Sequence, residues 1–63
     1  MKLVNQLFRL CENLSKSQGF YGRLLEGLYE KTDDELIDIN KLMEEELGTS
    51  PTDLDIILWL EAI

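Results

Sequence analysis

Few residues in this chain have the types or spacing that chemistry requires. There is one cysteine, Cys11, and no histidine. A catalytic thiol would therefore lack an imidazole to activate it, and a zinc site would lack ligands. Cys11 shares a helical face with Leu7 and Leu14, which reads as a small buried hydrophobe. The acids Asp33-Asp34 and Asp53-Leu54-Asp55 lack the alternating ligands, central glycine and closing glutamate of a calcium loop. Paired carboxylates do general acid–base work only in a water-excluding cleft that separates their pKa values, and 63 residues leave little volume for one. The expectation is a non-enzyme with no catalytic residues, no cofactor and no metal.

Three of the four glycines fall in SQGFYGRLLEG, residues 17–27. Gly22 and Gly27 have the spacing of a phosphate-binding loop, but Leu28 and Tyr29 stand where lysine and serine or threonine are needed. Gly19-Phe20-Tyr21-Gly22 has the two-glycine outline of a KH-type clamp, which requires an α/β fold and a positive field. Neither accompanies it, so the stretch reads as a helix corner. In that reading Gly19 is the left-handed cap of the first helix, Phe20 folds back on Leu14, and Gly22 allows close packing in the first turn of the next. Tyr21 and Arg23 remain as candidates for a partner-facing edge.

Glu44-Glu45-Glu46 is the other exception. These acids fall in the last turn of a helix, where the dipole disfavours anions, and no lysine follows. A local rule broken without local compensation points to a role elsewhere, and a solvated end is the plainer reading.

The elements that position these residues are helices. Leu3, Leu7, Leu10 and Leu14, flanked by Val4, Phe8 and Cys11, predict a first helix over 3–17. Arg9–Glu12 and Glu12–Lys16 are spaced to pair on its surface. Phe20, Leu24 and Leu28 beside Tyr21, Leu25 and Tyr29 predict a second over 20–31. Thr32-Asp33-Asp34-Glu35 is a capping box that opens a third over 33–47, which Gly48 closes. Ser50-Pro51 predicts a fourth over 51–63, with Ser50 capping and Pro51 at the first helical position. Because Leu54, Ile56, Ile57, Leu58, Trp59, Leu60 and Ile63 surround this last helix, it is expected to be the core helix, with surplus for a partner or second subunit near Trp59. The architecture predicted is all-α, one domain over 1–63, a compact bundle of three to four short helices.

Residues 1–31 carry five cations and three anions, net +2, and residues 32–63 one cation and ten anions, net −9. Direct nucleic-acid binding and anionic membrane surfaces are disfavoured. The longest apolar run, Ile56 to Leu60, is far short of the roughly 20 residues of a membrane span, and no signal peptide is visible. A cytoplasmic location is expected. A chain this small buries only about 60% of its unfolded surface and has no disulfide, so a partner surface or a homodimer would help its stability.

Two functions are compatible with this pattern. One is an acidic protein-interaction module docking through a helical surface, with Tyr21, Arg23, Glu44, Glu45, Glu46 and Trp59 as its candidate contacts. The alternative is a nucleic-acid mimic that inhibits a DNA- or RNA-binding protein: carboxylates at i and i+4 lie about 6 Å apart, and Asp34, Asp38 and Glu45 form such a row. Lys41, within reach of Asp38, Glu44 and Glu45, is expected to pair with them and cut it.

The segment LSKSQGFYGRLLE, Leu14 to Glu26, resembles a run in short uncharacterised acidic proteins of bacterial phages and other mobile elements. The resemblance implies a bacterial or phage accessory or regulatory protein in the cytoplasm. It supplies no activity and no functional residues.

Overall fold

The computed structural model describes residues 1–62 and contains four helices in them. These are α1 (Lys2–Leu14), α2 (Gly19–Tyr29), α3 (Asp33–Leu47) and α4 (Asp53–Ala62). Ile63, included in the expected fourth helix, lies outside the described residues.

α1 is the centre. The other three helices pack on it, and contacts among those three are sparse. Its leucine face is buried over most of its length: Leu3, Val4, Leu7, Leu10 and Cys11 are buried, and Leu14 at its end is half-buried. Tyr21 and Leu28 of α2, Met43 of α3, and Ile56 and Leu60 of α4 pack around it. This corrects the expectation that the most apolar helix, α4, would occupy the core. α4 buries only Ile56 and Leu60, while Leu54 and Leu58 are 61% and 55% exposed. A helix that is apolar on all sides can still present only one side to its neighbour.

The corner between α1 and α2 needs no left-handed residue. α1 ends three residues earlier than periodicity predicts, at Leu14, and Ser15 stays right-handed at φ −62°. The amides of Ser17 and Gln18 donate to the Leu14 carbonyl at 3.1 and 3.0 Å. The hydroxyls of Ser15 and Ser17 satisfy the Glu12 and Leu14 carbonyls at 2.9 and 3.3 Å. Hydroxyl groups and tight-turn bonds thus close the end, and Gly19 is simply the first residue of α2. Phe20 is exposed, with its ring edge-on to Tyr21 at 5.2 Å. The one positive-φ residue among those described is Gly48, at 82°, where the helix stop was expected.

The capping box of α3 forms as the sequence predicts. The Glu35 amide donates to Thr32 Oγ1 at 3.3 Å, and the Thr32 amide donates to Glu35 Oε1 at 3.1 Å. α4 starts two residues later than predicted. Thr52, not Ser50, is its cap: the Asp55 amide donates to Thr52 Oγ1 at 3.2 Å and the Thr52 amide to Asp55 Oδ2 at 2.9 Å. This is a second box, with aspartate in the glutamate position. Pro51 precedes it and is buried. Its carbonyl and the Asp53 carboxylate both accept from the Gln6 side-chain amide, at 3.0 Å each, which fastens the start of α4 to α1.

Candidate docking groove

α1 has no side-chain cap from its own sequence. Asn40, from the middle of α3, supplies one. Its Oδ1 accepts from the Leu3 and Val4 amides, both at 3.0 Å, the amides that an ordinary N-cap side chain would serve. Its Nδ2 donates to Glu44 Oε1 at 2.8 Å. The reverse amide orientation would set a donor against two donors and an acceptor against a carboxylate, so the chemistry of the partners fixes it. Asn40 is the one buried polar side chain among the described residues, and no buried side-chain polar atom there is unsatisfied.

Glu44 is thereby explained. Its anion offends the end of α3 but stands one hydrogen bond from the positive end of α1. Glu46 accepts a hydrogen bond from Trp59 Nε1, bridging α3 and α4. Glu45 is exposed and has no such partner among the described residues. The acidic triplet therefore divides: Glu46 joins two helices, Glu44 holds Asn40 within α3, and Glu45 faces solvent.

Because α2, α3 and α4 meet α1 but scarcely meet each other, an apolar groove of about 430 Å³ opens between them. Leu7 of α1 is among its lining residues, Leu24 and Leu28 come from α2, Ile39 and Leu42 from α3, and Trp59 from α4. Lys31 and Glu46 are the charged residues lining it. Leu24 and Leu60 are shared with a second depression towards Phe20, Tyr21 and Glu61. A polar hollow of about 140 Å³ at Gln6, Arg9 and Asn13 lies elsewhere, where α1 meets the start of α4.

Of the predicted contacts, the groove takes in Trp59 and Glu46. Tyr21 is 4% exposed and belongs to the core, because its place on α2 turns the ring towards α1. What little of it reaches the surface lines the second depression, not the groove. Arg23 is exposed and lines neither depression. Lys41 is exposed, and the one ion pair among the described residues is Lys31–Glu35 at 3.8 Å. Lys41 therefore forms no ion pair with the row Asp34, Asp38, Glu45, although its charge stays beside them on α3. Nor do Arg9 and Lys16 pair with Glu12, which instead accepts from the Tyr29 hydroxyl at 3.1 Å. That carboxylate raises the Tyr29 pKa by favouring the protonated phenol. Burial likewise pushes the Cys11 thiol above its ordinary value, the opposite of activation.

The sequence reading missed the groove and Asn40. Apart from Trp59 and Glu46, the apolar groove walls were read as parts of core faces; an unusually wide apolar face on three short helices is the signal that some of it stays uncovered. No described helix is long and apolar enough to cross a membrane. Comparison with family models, curated proteins and solved structures gives no match for this chain.

Proposed function

We propose that this protein is a small acidic interaction module that docks a protein partner in the groove between α2, α3 and α4. The observation that carries this reading is the groove itself: Leu24, Leu42 and Trp59 lie partly or largely open to solvent around it, although the chain has few apolar residues to spare. Helical segments commonly lay an apolar face in such a groove. The resemblance of Leu14–Glu26 to acidic proteins of phages and mobile elements fits an accessory or regulatory role in a bacterial cytoplasm.

The mimic reading is weaker. Asp34, Asp38 and Glu45 span about 16 Å of α3 at 1.5 Å per residue, but Leu42 stands within the row, 45% exposed. A phosphate-like surface has no use for an exposed leucine, whereas a docking surface does.

A photo-crosslinking residue at position 42, compared with one at position 26, tests the proposal in the native host. Crosslinks to a discrete protein from position 42 alone support it. Equal crosslinking from both positions, or none from position 42, overturns it.

A further inference from the structure

The chemistry around the groove says what it would hold. On α3 the groove wall is Ile39, Leu42 and Glu46, and the adjacent outward stripe carries Asp34, Asp38 and Glu45, all exposed. None of the three is in the one ion pair among the described residues. They form an acidic lip alongside an apolar trough. Across it, α2 contributes Leu24 and Leu28, and Lys31 lies just beyond the end of that helix. Gly27, three residues on from Leu24, falls on the neighbouring flank by helical phase. A Cβ built at Gly27 meets nothing within 4 Å. A glycine inside a helix is destabilising by about 1 kcal/mol relative to alanine, and this one has no packing reason within the chain. Its missing side chain keeps that flank low, where another helix can approach closely.

A second copy of the chain is a poor occupant. Each copy carries a net charge of −7. The apolar segment with the most to offer, α4, bears Asp53, Asp55 and Glu61 and no cation. Seating it against Asp38 and Glu45 would bring like charges together, which is costly at an interface.

From the acidic lip, the apolar trough and the low flank at Gly27, we infer that the groove receives a basic amphipathic helix of a partner protein. The helix places its apolar residues between Leu24, Leu42 and Trp59, and its lysine or arginine side chains against Asp34, Asp38 and Glu45. The inference rests on the docking reading above and adds the sign of the partner's charge.

The test uses the intact chain and three synthetic peptides of fourteen residues. Each has leucine at helical spacing, with the other positions lysine, glutamine or glutamate. Trp59, the single tryptophan, reports binding by fluorescence. The lysine peptide is expected to bind about tenfold or more tighter than the glutamate peptide and to weaken with salt. Asp38→Asn with Glu45→Gln should weaken it about threefold to tenfold. Glu26→Gln with Glu30→Gln, the same change in net charge away from the groove, should leave it nearly unaffected. Gly27→Arg, whose Cβ meets nothing within 4 Å, is expected to keep the helical circular-dichroism spectrum and to abolish binding. Equal binding of all three peptides, or equal effects of the two double variants, overturns the basic occupant and leaves groove docking standing. Lysine-peptide binding that survives Gly27→Arg shows attraction to net charge alone and overturns the inference. A dimer by sedimentation that Gly27→Arg dissociates assigns the groove to a second copy and overturns it too. A folded monomer that seats none of the peptides overturns both this inference and the docking reading.

Discussion

α1 and α4 are both rich in apolar residues, yet they hold opposite positions. α1 has an apolar face and a polar one and no cap of its own, and every other helix lies on it. α4 caps itself through Thr52 and Asp55 and has scarcely any polar stripe, yet it leaves Leu54 and Leu58 in solvent. A strong local signal and high hydrophobicity thus do not measure centrality. A single well-formed apolar face can be covered by three neighbours, while a helix apolar all round has more surface than one neighbour can cover.

Truncation of leucines breaks or sharpens this contrast most directly. Leu3→Ala removes a side chain that is 1% exposed and is expected to cost about 2–5 kcal/mol, a large share of what a domain this small can hold. Leu58→Ala, on the outer face of α4, should change stability by no more than about 0.5 kcal/mol. Urea denaturation of the two variants measures both. A comparable loss at Leu58 would mean that the outer face of α4 is covered in solution, and the contrast would fail.

The caps give the next largest effect. Asn40→Ala leaves the Leu3 and Val4 amides without their acceptor in a buried setting, at about 1–3 kcal/mol. Thr52→Ala removes an exposed local cap, at about 1 kcal/mol. Hydrogen exchange should also show the Leu3 and Val4 amides losing protection in Asn40→Ala alone. If the two variants prove equal in denaturation and exchange, the start of α1 has no special dependence on α3.

What was legible in the sequence follows the same division. Features fixed by residues three or four apart were readable: the four helices, the Thr32–Glu35 box, the stop at Gly48, the burial of Cys11. Features fixed by residues far apart were not. Nothing near Met1 announces that its helix is capped by Asn40, 36 and 37 positions beyond the amides served. Glu44 and Glu46 could be singled out as locally unfavourable. The Asn40–Glu44 pair has ordinary i,i+4 spacing within α3, but what Asn40 does for α1, and the Glu46–Trp59 bond, appear only when helices meet. The burial of Tyr21 was not legible because an aromatic beside glycines suits a loop edge as well as a core, and helical phase on α2 places most of the ring in the core. The groove is less legible still, since it exists only where three helices fail to touch.

Glycine substitutions extend the contrast to α2 with effects of about 1 kcal/mol or less. Gly27→Ala should stabilise the fold by about that amount, because open space surrounds the added methyl. At Gly22 the new Cβ would lie 3.7 Å from Ser15 Cβ, an ordinary contact, so alanine there is expected to be tolerated. Thermal denaturation of both variants measures the difference. A destabilised Gly27→Ala would show that the flank is already covered within the molecule.

The smallest effect separates a cap made within one helix from one made between two. Glu35 is held below its ordinary value of 4.5, first by the Thr32 backbone amide, then by the Thr32 hydroxyl, with Lys31 contributing less. A carboxylate whose pKa is lower folded than unfolded stabilises the fold at pH values above the unfolded pKa. That contribution is lost as the pH falls through the folded value. Glu35→Gln keeps a side chain able to complete the box but removes the charge. The variant should therefore be slightly less stable than the parent at neutral pH, and the gap should close as the pH falls below 4.5. Asn40, which cannot titrate, gives α1 a cap with no such dependence. In acid, hydrogen exchange should then show the first turn of α3 opening more than the first turn of α1. Equal opening of the two turns, or a gap between parent and Glu35→Gln that persists at low pH, would show that ionisation of Glu35 has no part in holding the start of α3.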